Sequence, residues 1–391
     1  MKEFSFIPIG GANSIGESCS LFEVGNARIL VDVGLGFQER PFPNNLISRI
    51  DKTINGLGNL DLVLITHAHR DHLGSILKLM ANGYNGYIYS SKITKQLAKY
   101  VFDDIISDDL PNREIADLYA HYASYMYQQW HSFDLGDRLD IKDITIWPFN
   151  AGHIAGSFGY VIEYDSSSIV ITGDASLYPN LSSGIMNFPN VENCELLICD
   201  GTAVNKMGTD FLSDEAVVDA VEISLDKVEK VIFPCVALGK DVETLLRLER
   251  EIIRRKKSFD IFASKSTFEI ASVIGLGRNL SKMKCKVAEL KEITSPGIFV
   301  GRVPKSFRMS KASYYDYLDI LPSKKSPRLH YFSIGTHLNS AQIELLVDFT
   351  KPKRIVFVHT LERNINNSKL RSPNLSIAKE LRRYGRGDYS W

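Results

Sequence analysis

Residues 66–72 read THAHRDH. The chain has nine histidines, and three of them, His67, His69 and His72, crowd into this stretch with Asp71 between them. The apolar run 61–66 (DLVLIT) precedes it, and a helix is expected from about 73 to 81. The polar cluster therefore sits at the C-terminal end of a strand, in a loop that leads to a helix. Side chains on a strand alternate, so His67 and His69 point the same way. Asp71 and His72 lie past a turn and can face a second ion. Imidazole and carboxylate suit Zn²⁺, and also Mn²⁺ or Fe²⁺. The spacing supports two metals rather than one.

Working outward, other apolar runs end in the same residue types. Asp32 follows ARILV, Asp174 closes IVITGD, Asp200 closes ELLICD and His359 closes RIVFVH. His153 lies in the glycine-rich turn AGHIAGS at 151–157. Burying such groups without partners is costly, so their repetition at strand ends points to a shared site. A carboxylate such as that of Asp174 has two oxygens and can bridge two ions.

The surrounding pattern is α/β. Residues 4–9, 19–24 and 27–33 read as an antiparallel opening sheet. Helices are expected near 92–104 and 112–130, and strands at 143–149, 158–165 and 168–173. After Gly201 the texture changes to helix 213–225, strand 230–236, helix 241–257 and strand 261–263, with Ser266 and Glu269 placed as a capping box. That alternation suggests a small parallel α/β domain. Residues 286–328 are irregular and basic, and core-like patterning returns with strand 329–334, helix 340–349, strand 354–359 and a last helix over 373–384. The simplest topology is one body of 1–204 and 329–391, interrupted by an inserted domain of 205–328.

Composition excludes several classes. The 391 residues are 44% hydrophobic and 24% charged, which rules out global disorder. No run reaches the length a membrane span needs, and MKEFSFIPIGG is not patterned as a signal peptide. The five cysteines are scattered and never form CxxC, which argues against a disulfide scaffold or thiolate metal site and for a reducing cytoplasm. The net charge is zero, but residues 281–391 hold 21 Lys/Arg against 9 Asp/Glu. A basic C-terminal third suits a polyanionic substrate.

Several segments carry a resemblance to the metallo-β-lactamase superfamily: THAHRDH at 66–72, AGHIAGS at 151–157, TGD at 172–174 and LVDVG at 30–34. Within it, the chain resembles the β-CASP nucleases, the family of RNA cleavage-and-polyadenylation endonucleases and bacterial ribonucleases J. The segments that carry this are FIPIGGANSIGESCSLFEV at 6–24, ELLICDGT at 195–202, KVIFPCVALGKDVETLLRLE at 230–249, SIGTHLNSAQI at 333–343 and PKRIVFVHTLE at 352–362. Some positions depart from the family pattern. Lys240 stands where arginine is usual, Asp200 where the RNA-cleaving members mostly have glutamate, and Thr360 where glycine is common; SIGTH is also longer than the usual form.

The resemblance implies an αββα sandwich with an inserted β-CASP α/β domain. It implies that His67, His69 and His153 hold one metal, that Asp71, His72 and His359 hold another, and that Asp174 bridges them. The cofactor expected is a pair of Zn²⁺ ions, with Mn²⁺ or Fe²⁺ as alternatives. Asp71 can orient a nucleophile as well as ligate, His337 is the natural proton donor to the leaving oxygen, and Asp200 orients it. Asp32 either supports a histidine ligand through an imidazole N–H or forms the turn before Gly34. Ser333 and Lys240 are candidate contacts to backbone phosphates. A histidine at the last place, here His359, goes with RNA substrates, so the expected partner is single-stranded RNA, with no membrane and a homodimer as one arrangement. The expected activity is metal-dependent hydrolysis of RNA phosphodiesters. A DNA nuclease of the same fold would use the same ligands, and a non-catalytic subunit that binds nucleic acid or a partner is the third reading. A small-ester hydrolase fits the inserted domain poorly.

Overall fold

A computed structural model describes residues 4–36, 46–109, 113–206, 213–227, 230–235, 238–277, 279, 285–303, 312–317, 329–332, 335–368, 370, 374–379 and 382–385. Among these, the first sheet orders its strands Tyr384–Gly385, Phe4–Gly10, Cys19–Val24, Ala27–Val31, Leu62–Leu64, Tyr87–Ser91 and Trp130–Phe133. It opens antiparallel and turns parallel from Ala27–Val31 onward. The second sheet orders Leu375–Ile377, Ile355–Val358, Cys194–Asp200, Ser167–Ile171, Phe158–Tyr164, Ile144–Asn150 and Leu139–Ile141. It makes the same change, from antiparallel hairpins to parallel pairing at Ser167–Ile171 with Cys194–Asp200.

Alternation along the strands explains why the sheets stack. Phe6, Phe22, Ile29, Leu62 and Leu64 from the first sheet share one buried core with Ile146, Tyr160, Ile162, Ile169, Ile171, Leu196, Ile198 and Val356 from the second. The residues between them, Val161, Val170, Leu197, Cys199, Ile355 and Phe357, face the other way. They pack on Leu338, Ile343 and Leu346 at and within helix Ser340–Thr350. Both faces of the second sheet are thus apolar, as parallel strands covered by helices require. Helices Leu46–Ile54 and Lys92–Asp109 pack on the first sheet. The result is the layered α/β sandwich the resemblance implies.

The chain divides into two compact bodies, one of Met1–Leu177, Ile185–Met207 and His337–Trp391, the other of Tyr178–Gly184 and Gly208–Thr336. The second body holds a parallel sheet ordered Lys286–Val287, Ile261–Ala263, Gly297–Gly301, Lys230–Pro234, Ala312–Tyr317 and Leu329–Phe332. Ser213 caps helix Asp214–Leu225 by accepting from the Ala216 N–H.

Four local expectations change. Strand Leu329–Phe332 pairs with Ala312–Tyr317, so it joins the second body's sheet rather than the sandwich. The expected helix 73–81 is two short helices, Arg70–Leu73 and Ile76–Ala81. Ser264, not Ser266, caps helix Lys265–Val273, because its oxygen accepts from the Thr267 N–H. The last helix, expected over 373–384, is replaced by strands Leu375–Ile377 and Tyr384–Gly385, each paired at a sheet edge. Their helix-forming composition yields to the open edges of the two sheets.

Candidate metal centre

All seven expected ligands lie in the first body at the C-terminal ends of strands. Leu62–Leu64 leads to His67, His69, Asp71 and His72; Ile144–Asn150 leads to His153; Ser167–Ile171 leads to Asp174; Ile355–Val358 leads to His359. The structure gathers them into two groups. His67, His69, His153 and Asp174 offer ligand atoms within 4.8 Å of one another, and so do Asp71, His72 and His359. Asp174 faces both groups: Oδ2 lies 3.9 Å from His67 Nε2 and 3.7 Å from His153 Nε2, while Oδ1 lies 3.5 Å from His72 Nε2 and 3.3 Å from His359 Nδ1.

Ring nitrogens face one another in the first group. His67 Nε2 is 3.0 Å from His69 Nδ1, and His69 Nδ1 is 3.2 Å from His153 Nε2. Three nitrogens converging on one point suit a cation better than shared protons. In the second group, His359 Nε2 lies 3.0 Å from Asp71 Oδ2, and His72 Nε2 is buried with no hydrogen-bond partner among the described residues. An orphaned imidazole nitrogen among carboxylates, beside a hard/borderline N,O donor set, fits a pair of divalent cations.

Asp32 fixes the tautomers. Its Oδ2 accepts from His72 Nδ1 at 2.7 Å, which leaves Nε2 as the ligand nitrogen. It also accepts from the Thr66 N–H at 2.8 Å and from the Thr66 hydroxyl at 2.9 Å. With its proton given to Asp32, Thr66 Oγ1 can only accept from His67 Nδ1, 3.0 Å away, so His67 Nε2 also carries a lone pair. Asp32 is held in the left-handed region, with φ 62, and His359 likewise, with φ 57. Such strain collects where a site over-determines the backbone. Asp32 thus both takes the left-handed backbone before Gly34 and accepts from the His72 ring.

Charge follows from burial. Burial and the neighbouring His72, His69 and His153 push the His67 pKa down and keep the ring neutral. At His72 and His359 burial also opposes the charge, but Asp174, with Asp32 for the first and Asp71 for the second, outweighs it and raises both. Burial favours protonation of Asp71 and Asp174, yet His359 and His72 pull both carboxyls below the usual range. When His72 is charged, its second proton sits on Nε2, the nitrogen that faces Asp174 and Asp71.

A third group adjoins the ligands. His337 Nδ1 lies 2.7 Å from Asp200 Oδ2, and 3.9 Å from Asp174 Oδ2. Asp200 Oδ1 accepts from the Thr202 N–H at 2.9 Å. Thr202 Oγ1 in turn lies 3.0 Å from His359 Nδ1. Sequence reading missed Thr66 and Thr202; their adjacency to His67 and to Asp200 was the available signal. Of the two expected phosphate contacts, Lys240 opens helix Lys240–Arg254 in the second body, and Ser333 lies outside the described residues.

Residues 27–228 match the family profile described as "Beta-lactamase superfamily domain". The chain belongs to this superfamily. Among its relatives are "Endoribonuclease YSH1" of Yarrowia lipolytica, 24% identical over 249 residues that cover 63% of this chain and 30% of that one. "Transcription termination factor FttA" of Methanothermobacter thermautotrophicus is 28% identical, covering 62% and 39%. "Integrator complex subunit 11" of Danio rerio is 27% identical, covering 70% and 46%. The chain thus spans less than half the length of these relatives. A solved structure of a protein of unknown function from Enterococcus faecalis V583 shares the fold, with a TM-score of 0.63 over 99% of this chain and all of that one, at 14% identity. The superfamily read from the sequence motifs is the one these comparisons return.

Proposed function

We propose that this β-lactamase superfamily chain is a metal-dependent ribonuclease of the β-CASP type that hydrolyses phosphodiester bonds in single-stranded RNA. The observation that carries the reading is one carboxylate, Asp174, facing two complete ligand groups with the His337–Asp200 pair beside it. Similarity to a relative named an endoribonuclease supports the same substrate class. The second body is the inserted β-CASP domain in this reading.

His67, His69 and His153 would hold one cation, and Asp71, His72 and His359 the other, with Asp174 between. Two divalent cations supply a nucleophile near neutral pH and offset the charge that develops on a phosphoryl group. Zn²⁺ is proposed, because the donors are mostly imidazole. Asp71 and Asp174 stay ionised and so contribute their full charge to holding the pair. Asp200 accepts from His337 Nδ1–H, which fixes the ring and favours its imidazolium form, in which Nε2 would carry the proton handed to the departing oxygen. Thr202 ties this pair to His359, so the acid and the second ligand group move together.

The cysteines are free, three of them buried, and a cytoplasmic setting is proposed on that ground. Among the described residues no helix is long and apolar enough to cross a membrane. A homodimer is the assembly the resemblance suggests, and sedimentation of the pure chain decides it. The test of function is direct. The purified chain, its zinc measured, is given RNA and DNA of one sequence, labelled at either end. Cleavage of RNA with two zinc ions bound is expected. Cleavage of DNA alone would move the substrate class, and a zinc-loaded chain that cuts neither would end the proposal.

A further inference from the structure

The two ligand groups are closed across the sandwich in different ways. In each group some ligands follow strands of the first sheet and one histidine follows a strand of the second. His359 is tied across through its own main chain as well as its ring: its N–H donates to the Gly11 carbonyl at 2.8 Å, at the end of Phe4–Gly10, and its Nε2 lies 3.0 Å from Asp71 Oδ2. The turn that carries His153 is tied at its base within its own sheet. There the Ala151 N–H donates to the Ser157 carbonyl at 3.0 Å, and Ser157 Oγ accepts from the His153 N–H at 3.0 Å. One main-chain bond crosses, from the Phe158 N–H to the Thr66 carbonyl at 2.8 Å.

The tip of the turn is held by side chains. The Gly156 carbonyl receives the Ser91 hydroxyl at 2.6 Å and the Thr94 hydroxyl at 2.9 Å. Ser91 ends strand Tyr87–Ser91, and Thr94 lies in the first turn of helix Lys92–Asp109. Ser91 Oγ also accepts from the Thr94 N–H at 2.9 Å, so the start of the helix and the tie are one unit. Both side chains are buried, where a hydroxyl needs its partner. Position 156 must be glycine: its φ is +81, and a Cβ there would lie 2.6 Å from Ile93 Cβ.

We propose that Ser91 and Thr94 are positioning residues for the His67–His69–His153 site, holding His153 against the two histidines of the opposite sheet. The proposal rests on the two-metal reading of the centre. Their loss loosens one ion and spares the other, because the second group is tied through the His359 N–H to Gly11 and the His359 ring to Asp71, away from the Gly156 turn.

The test is zinc titration of the full chain by calorimetry, with metal analysis. Wild type is expected to bind two ions. Ser91→Ala with Thr94→Val is expected to weaken one ion about tenfold or more, as supporting residues around metal sites do. In a His72→Ala background the remaining ion is expected to weaken by the same factor. In a His69→Ala background the pair is expected to change nothing further. Ser91→Thr and Thr94→Ser, which keep the hydroxyls, should retain both ions at wild-type affinity. Should the double variant fold poorly, Thr94→Val alone, at an unchanged melting temperature, makes the same comparison. Wild-type affinity for both ions in the variants, or equal weakening of both, overturns the positioning role. A wild-type chain that takes up fewer than two ions overturns the two-metal reading as well.

Discussion

Two regions of this molecule bury carboxylates, and they treat them in opposite ways. In the second body, Glu243 meets Arg247 at 2.7 Å and also accepts from the Leu181 and Ser182 N–H groups. Glu251 meets Arg254 at 2.7 Å and Arg255 at 2.5 Å. Both of these glutamates have a permanent cation beside them. At the edge of the sandwich, Asp32, Asp71, Asp174 and Asp200 are as deeply buried, and their ion-pair partners are histidines. Guanidinium cannot be displaced by a proton or a metal at working pH, whereas imidazole can be. The first region is built to stay as it is. The second is built to exchange protons for metal ions.

The sharpest way to break this contrast is to remove the shared acid. Asp174→Ala takes a carboxylate from both groups, so neither keeps its charge balance. Zinc content is expected to fall below two per chain, and RNA cleavage by at least about 10³-fold, since electrostatic support is usually the largest catalytic contribution. The matched control is Glu243→Gln in the second body, which is expected to lower the melting temperature and leave zinc content at two. Equal zinc loss in both variants would erase the distinction.

Removing the proposed acid separates chemistry from binding. His337→Ala is expected to lose about 10²–10⁴-fold in cleavage, the usual contribution of a general acid, while both ions remain. Metal loss in this variant would make His337 a ligand, which its place beside Asp174 permits in geometry. A smaller effect is expected at Thr66. Thr66→Val removes the hydroxyl that sets the His67 tautomer, and zinc affinity is expected to drop about 10–100-fold with the fold intact, as read by calorimetry. An unchanged affinity would mean that His67 Nδ1 finds its partner elsewhere.

That the seven candidate ligands stand out in the sequence, and are gathered in the fold, has a physical reason. His67, Asp174 and His359 follow apolar strands and the other four lie in the turns and short helix just beyond strand ends, where an unpaired His or Asp is so costly that a shared site explains the repetition. The strands themselves were legible for the same cause, because Ile169–Ile171 and Leu196–Ile198 alternate between two apolar faces. What was not legible depends on contacts distant in sequence. Thr66 looks like the last residue of a strand, and only the approach of Asp32, with 34 positions between the two, reveals its task. Leu375–Ile377 and Tyr384–Gly385 sit among helix formers, and it is the free edges beside Ile355–Val358 and Phe4–Gly10 that draw them into sheets. Leu329–Phe332 has the texture of a core strand, but texture does not say which core.

The mildest expectation concerns the region that should not exchange. Hydrogen bonds and charge from Arg254 and Arg255 outweigh burial at Glu251 and pull its carboxyl down to about 2, from an ordinary 4.5. Its folded pKa lies below its unfolded one, so the pairing stabilises the fold fully above about pH 4.5 and is lost as the pH falls toward 2. Glu251→Gln is therefore expected to melt about 2–4 °C lower than wild type at pH 7, the size of shift a buried carboxylate gives when its partner Arg254 is largely exposed to solvent, in a domain of this scale. The gap should shrink steadily between pH 4.5 and 2, and zinc uptake at pH 7 should not differ. The same acidification applied to the metal centre must act otherwise, because protons there compete with zinc for His72 and His359. Acid should release the ions while the Glu251 cluster still holds. If both regions came apart over one pH range, the arginine-paired acids and the histidine-paired acids would not be the separate devices their partners make them.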